Sequence, residues 1–216
     1  MSILPLSAVY DRLPIATCTF SIERRDETDE LGGGDFWQAS LAAPRWTAQL
    51  TLGAGRHQEL KSAAAALRKL DGARQAFMMC DPISRYPYAD PRGLIFGNSL
   101  VTIREIGADR VTARMKGFKP GYILTAGDKL QITYDEGKRF AFVEVSETTA
   151  ATASGNLDAP IFPRLSTLIV AGAAVTVIRP ACPVIVSPTS HNPGTARRTI
   201  TDGASVTLIQ KVRVTV

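Results

Sequence analysis

Residues 130–145 have the sequence LQITYDEGKRFAFVEV, in which two strand-like runs flank a short turn. The first run alternates apolar and polar side chains, and the second is rich in aromatic and β-branched residues, as strands are. The connecting residues Asp135, Glu136 and Gly137 are typical of a hairpin turn. The segment therefore predicts two antiparallel strands and indicates the class of the surrounding fold.

Further short strands are predicted on both sides of this hairpin, with no helical pattern between them. They lie at residues 110–115, 174–178 and 184–186, and residues 154–156 are typical of a turn. Strands this closely spaced indicate a small barrel or sandwich. We predict that residues 94–190 form one such module.

The N-terminal part of the chain predicts strands and one helix. Strands are predicted at residues 17–22, 36–41 and 46–52, and the last of these alternates from Trp46 to Leu52. Residues 53–72 predict a helix that ends at Gly72. Its apolar stripe consists of Leu60, Ala63, Ala64, Leu67 and Leu70. The fold class is therefore mainly β (sandwich or barrel modules), with one α-helix packed on the N-terminal domain.

Two Pro-rich segments divide the chain, one ending at Gly93 and the other spanning residues 188–194. The C-terminal residues predict a hairpin that returns to the first domain. We therefore expect residues 1–93 plus 191–216 to form one domain and residues 94–190 the other. The charged residues 23–30, followed by three glycines, predict a solvated loop with a flexible tip.

The composition is that of an ordinary globular protein, with 45% hydrophobic residues and a net charge of +5. The basic residues are scattered, whereas a nucleic-acid-binding domain concentrates them. No apolar run approaches the ~18 residues of a spanning helix, so we expect no membrane insertion. The N-terminus lacks the pattern of a secretory leader, and three distant cysteines predict no disulfide framework.

Side chains capable of catalysis do not fall into a recognisable pattern. His57 and His191 have no ligand-type residue three or four positions further on, as a zinc motif such as HExxH requires. Cys80 ends an apolar run, where burial makes a thiol inert, and Asp128 lies in a turn. We therefore predict a non-enzymatic protein with no catalytic, cofactor-binding or metal-binding residues. An enzyme with a cleft that the sequence does not reveal is an alternative.

Five residues have the character of interface side chains. Trp46 begins a strand, Tyr86 and Tyr88 flank a proline, and Arg197 and Arg198 lie near the C-terminus. Aromatic and arginine side chains are enriched at protein interfaces, so we predict that these residues contact other subunits. Packing in the core of the domain is the alternative for the aromatic residues.

Several segments of the chain occur in a characteristic order. They are PRWTAQL (44–50), LRKLDG (67–72), Phe77, Asp81-Pro82, PGYILTAGDKLQI (120–132), Phe142-Val143, Ser154-Gly155 and Pro163-Arg164-Leu165. In their order and spacing they resemble the distal tail proteins of long-tailed, siphovirus-like bacteriophages and of phage-like particles. The resemblance covers the chain from about Trp37 to Val186.

The resemblance implies that the first domain forms a ring around the tail channel and that the second module lies outside it. It implies a homo-oligomer, a hexameric ring, that joins the tail tube to the hub or baseplate at the distal tip. The implied partners are the tail tube, hub or baseplate, and tape measure proteins, with phage DNA only in transit through the channel. The implied location is the virion, after assembly in the host cytoplasm.

A different function is an alternative. The second half of the chain contains Tyr122, Tyr134 and Phe140, aromatic residues of the kind on which sugar rings stack. The protein would then be a carbohydrate-binding β module involved in host attachment.

Overall fold

The computed structural model describes residues 3–30 and 32–212. The protein is mainly β with one main helix, which confirms the predicted fold class. The helix α1 spans His57–Lys69, and short 3-10 helices lie at Leu6–Ala8, Tyr10–Arg12 and Pro82–Ser84. The strands, in chain order, are β1 Ile15–Glu30, β2 Phe36–Leu52, β3 Phe77–Cys80, β4 Val101–Ile106, β5 Thr112–Lys116, β6 Ile123–Leu124, β7 Lys129–Tyr134, β8 Arg139–Val145, β9 Thr149–Ala150, β10 Asn156–Phe162, β11 Ala174–Thr176, β12 Ala181–Val186, β13 Thr195–Ala196, β14 Thr201–Asp202 and β15 Ser205–Gln210.

The chain divides into two compact units. The sheet unit comprises Arg12–Gln75 and Val184–Gln210, and the barrel unit comprises Ala76–Pro183 together with the described residues 3–11 and 211–212. This division differs from the boundaries expected after residues 93 and 190, because residues 76–93 lie with the barrel. The buried Asp90 carboxylate accepts the N–H groups of Ile95 and Phe96 at 3.2 and 2.8 Å, which joins the Pro-rich segment to the barrel.

The barrel unit is built on six strands that close on themselves in the order β10-β5-β4-β11-β7-β8. Alternate residues of β4 and β5 point inward, so that Val101, Ile103, Ala113 and Met115 are buried. The predicted hairpin of residues 130–145 is present as β7 and β8, which pair from Lys129 with Glu144 to Tyr134 with Arg139. Closure gives every barrel strand two partners and leaves no unpaired edge among these strands.

The sheet unit is organised around β2. This strand pairs with β1 on one side and with β15 on the other, and β15 also pairs with β12 through Val184–Val186. The pairing of β15 with β2 confirms the predicted return of the C-terminal segment to the first domain. The two strands expected at residues 36–41 and 46–52 form one continuous strand, β2.

The helix α1 buries the predicted apolar stripe, which comprises Leu60, Ala63, Ala64, Leu67 and the C-terminal Leu70. It is shorter than the predicted span because Gly55 exchanges two backbone hydrogen bonds with Thr201, which keeps its backbone out of the helix. At the other end, Asp71 and Gly72 have positive φ angles of 50° and 61° and stop the helix.

Candidate functional site

The most prominent feature of the sheet unit is a two-stranded extension of β1 and β2, which we call the arm (residues 23–42). Pairing continues through Asp26 with Ser40 to Glu30 with Phe36. β15 pairs with β2 only from Thr47 to Thr51, so β1 is the one strand paired with the arm portion of β2 in the described chain. Residues 23–30, predicted as a solvated loop, are therefore a strand, and the predicted glycine tip is the hairpin turn.

Large apolar side chains of the arm are exposed to solvent. Phe36 and Trp37 are 73% and 69% exposed, and Leu41 is similarly exposed. A two-stranded hairpin without a third strand or a packed face is marginally stable in water. The arm thus has the composition of a surface that another chain covers.

The arm also differs from the rest of the protein in charge. Residues 23–42 contain six carboxylates and two arginines, a net charge of −4, so the remainder of the chain carries +9 of the total of +5. Arg24 Nε lies 2.7 Å from Asp26 Oδ2, and Gln38 donates to the same oxygen. Burial raises the pKa of Asp26, but the hydrogen bonds from Gln38, Arg24 and Ser40 outweigh it, and the pKa is lowered overall.

Trp46 does not lie on an exposed surface, contrary to the prediction that it contacts another subunit. Its side chain is 4% exposed and stacks on Phe20 with 5.2 Å between ring centroids. Its backbone N–H donates to Gln210 Oε1 at 3.1 Å. Trp46 is therefore part of the core of the sheet unit, which was the alternative for the aromatic residues.

The two tyrosines of the Pro-rich segment have different environments. Tyr86 is half-buried, and its ring lies against Gly93, where an added Cβ would come within 3.3 Å. Tyr88 is 81% exposed, while its backbone N–H donates to Asp128 Oδ1 at 2.9 Å. An interface role for Tyr88 therefore stays a prediction that its exposure permits.

Arg197 and Arg198 are exposed in the turn between β13 and β14, in the sheet unit. The turn covers residues 197–200, between the paired residues Ala196 and Thr201. Arg197 Nε forms an ion pair with Asp202 at 2.6 Å. The structure does not bring the five predicted interface residues together, since they belong to separate elements of the two units.

The exposed residues Phe36, Trp37 and Leu41 of the arm, and Ile83 in the Pro-rich segment, were missed as interface candidates. Phe36 and Trp37 are adjacent, so they lie on opposite faces of β2 and cannot both enter one core. Their position next to a glycine turn, opposite an acidic strand, was the signal that the sequence offered.

His57, Cys80 and Asp128, which were considered for catalysis, each contact neighbouring groups of their own unit. Burial raises the pKa of Cys80 to about 12, which keeps its thiol protonated. His57 Nδ1 lies 2.8 Å from Thr201 Oγ1. Asp128 accepts the N–H groups of Thr125 and Tyr88, and burial raises its pKa. In the part of the chain that the structure describes, no group of three or more His, Cys, Asp or Glu residues could hold a metal ion.

A polar cleft of about 510 Å³ lies on the barrel unit. Its lining includes Arg104, Thr149, Thr152, Asn156 and Asp158. Arg104 and Asp158 form an ion pair at 3.0 Å. The hydroxyl of Thr149 is buried and has no hydrogen-bond partner among the described residues.

The aromatic residues that favoured sugar binding do not line this cleft. Tyr122 and Tyr134 are buried, and the Tyr122 ring stacks on Phe118 with 5.4 Å between centroids. Phe140 is half-buried.

The chain matches no protein-family model and no curated protein at a significant level. Within residues 3–30 and 32–212, no helix is long and apolar enough to cross a membrane.

Proposed function

We propose that the chain is a structural subunit of a phage tail. It assembles with copies of itself into a ring at the distal tip, which joins the tail tube to the hub or baseplate. The order of segments that resembles distal tail proteins supports this function. The physical observation that carries it is the arm, which exposes Phe36, Trp37 and Leu41 on a two-stranded ribbon.

The arm supports assembly because its exposed side chains gain stability only from another chain. Complete burial of a large apolar side chain contributes about 1.5–3 kcal/mol. Monomeric proteins seldom expose a large contiguous apolar patch, whereas subunits of permanent assemblies bury such surfaces against each other. The arm is therefore better suited to a subunit than to a chain that acts alone.

The edge of the sheet unit supports the same function. β1 is the outermost strand of its sheet, and its sixteen residues have β2 as their strand partner on one side. A long unpaired edge attracts strands of other chains, which a subunit of a defined assembly can use for pairing. A head-to-tail interface closes into a ring when its rotation permits.

Native mass spectrometry and electron microscopy of the purified chain test the proposal. We expect a closed ring of six copies, and a lower mass for the double variant Phe36→Ser/Trp37→Ser. The matched control is Leu168→Ser/Val170→Ser, which removes two exposed apolar side chains from the barrel unit and should leave the ring intact. A wild-type chain that stays monomeric at all concentrations would contradict the proposal.

Carbohydrate binding is a second candidate function, and the polar cleft of the barrel unit favours it. Hydroxyl, amide, guanidinium and carboxylate groups line the cleft, and the unpartnered Thr149 hydroxyl could bond a ligand. A glycan array tests this function, with Asp158→Ala as the cleft variant and Asp109→Ala as the control. Binding that is absent, or equal in both variants, would contradict it.

A further inference from the structure

The barrel unit carries an apolar groove of about 370 Å³. Ile83 and Tyr88 line it together with residues 125–128. Ile83 is 89% exposed, so both large side chains present most of their surface to solvent. Exposed aliphatic and aromatic side chains around a groove are typical of a protein-binding surface.

The backbone around this groove is fixed by buried carboxylates. Asp81 Oδ1 accepts the N–H of Ile83 at 3.2 Å. Asp128 accepts the N–H of Tyr88 at 2.9 Å and that of Thr125 at 2.7 Å. Both carboxylates are buried, so the groove is held in shape by internal hydrogen bonds before any partner binds.

The same hydrogen bonds determine the charge of the surface. Between residues 81 and 100 the acidic groups are Asp81 and Asp90, and both are buried with backbone N–H groups as donors. The basic groups, Arg85 and Arg92, are exposed. This segment therefore presents an apolar and basic surface.

The arm has the complementary character. It exposes Phe36 and Trp37 beside the acidic strand of residues 23–30, and its net charge is −4. Two arms would repel each other, because each carries six carboxylates. Arg85 and Arg92, which are close in sequence to Ile83 and Tyr88, carry the opposite charge. Together with the apolar side chains of both surfaces, they favour contact between the arm and the groove.

We propose that the arm of one copy docks, with Trp37 as its anchor, into the Ile83–Tyr88 groove of a second copy. This inference rests on the self-assembly in the proposed function and names the two surfaces that meet. The contact is head-to-tail, so each copy has one arm and one groove to offer, as a ring requires.

Mixing two variants tests the contact. The arm variant is Phe36→Ser/Trp37→Ser, and the groove variant is Ile83→Ser/Tyr88→Ser. Sedimentation velocity should show each variant alone as a monomer, while the wild type assembles. An equimolar mixture should give a 1:1 dimer and nothing larger, because one intact arm and one intact groove remain.

The groove variant is expected to fold, since both replaced side chains are exposed, and its Tm checks this. If its Tm falls, Arg92→Glu serves in its place: it should weaken assembly at least tenfold, and less so at high salt, where charges are screened.

The outcomes separate the inference from the proposed function. Assembly of the groove variant to the wild-type size overturns the arm–groove contact and leaves self-assembly standing. A mixture of the two variants that stays monomeric also overturns the contact. A wild type that is monomeric throughout overturns both proposals.

Discussion

The barrel and the arm are both built from antiparallel strands, yet they differ in how they are stabilised. In the barrel each strand has two neighbours, and side chains such as Ile103 and Met115 are enclosed by their own chain. In the arm each strand pairs on one side, and residues 36–41 are all exposed. Strand pairing alone therefore does not decide stability; enclosure of apolar side chains does.

Two tryptophans on one strand show the same difference at the level of single residues. Trp46 packs on Phe20 in the sheet unit, whereas Trp37, nine residues earlier on β2, is exposed on the arm. The first is stabilised within its own chain. The second gains stability only if another chain covers it.

The largest expected effect separates these two residues. Trp46→Ala should reduce the free energy of unfolding by about 3–5 kcal/mol, because it leaves a cavity in the core. Trp37→Ala should change the same quantity by no more than about 0.5 kcal/mol in the monomer. Denaturant unfolding at low protein concentration measures both, and equal losses would remove the distinction between core and arm.

The next effect concerns the buried charges of the barrel unit. Lys129 Nζ pairs with Glu144 and lies 3.6 Å from Asp81 Oδ2. Lys129→Met should cost about 3 kcal/mol at pH 7, because the buried Asp81 carboxylate loses its cation.

The pH dependence and a control sharpen this prediction. Burial raises the pKa of Asp81, so the loss should shrink at acid pH, where Asp81 is neutral. The control Lys138→Met removes an exposed pair with Glu136 and should leave Tm unchanged. A loss that does not depend on pH would show that Asp81 is not the cause.

A smaller effect is expected at Asp128. Asp128→Asn should cost about 1–3 kcal/mol at pH 7. The two N–H groups donate to different oxygens of the carboxylate, and asparagine replaces one of these oxygens with an NH2 group, which cannot accept. The exposed Asp109→Asn is the control. Equal stability of the two variants in urea unfolding would argue against a structural role for Asp128.

The pH profile gives a second readout for Asp128. Burial raises its folded-state pKa above the ordinary value of 3.8, so the folded protein holds this proton more tightly than the unfolded chain. The resulting stabilisation is present in full below the unfolded pKa and is lost as the pH rises through the folded pKa. Asp128→Asn should abolish this part of the pH dependence of stability.

The smallest effect is expected for the ion pair of the arm. Arg24→Ala removes the exposed partner of Asp26 and should not shift the Tm of the monomer. A clear fall in Tm, measured by calorimetry, would mean that the arm is coupled to the folding of its own chain.

Sequence patterns predict the elements that bury one face. Alternation from Trp46 to Leu52 and the stripe from Leu60 to Leu70 both reflect such faces, and both elements are present. The arm has no buried face, so its residues show no alternation of apolar and polar side chains. For this reason residues 23–30, which form one of its two strands, were predicted as a loop. The start of α1 at His57 depends on the bridge from Gly55 to Thr201, a contact that no local pattern records.

The candidate site was predicted only in part for the same reason. Tyr88 was identified because it is an aromatic residue in a Pro-rich segment. Its position, however, depends on the hydrogen bond from its backbone N–H to Asp128, forty residues away. Trp46 was chosen for its residue type, although its position in an alternating strand already indicated burial. Aromatic character alone does not distinguish a core residue from an interface residue.

Hydrogen–deuterium exchange, compared between dilute monomer and concentrated assembly, tests the central claim most directly. The account predicts that amides of residues 36–41 exchange rapidly in the monomer, while Ile103 in β4 is protected, and that the arm becomes protected on assembly. An arm that is as protected as β4 in the monomer, or that gains no protection in the assembly, would contradict the claim that a second chain stabilises it.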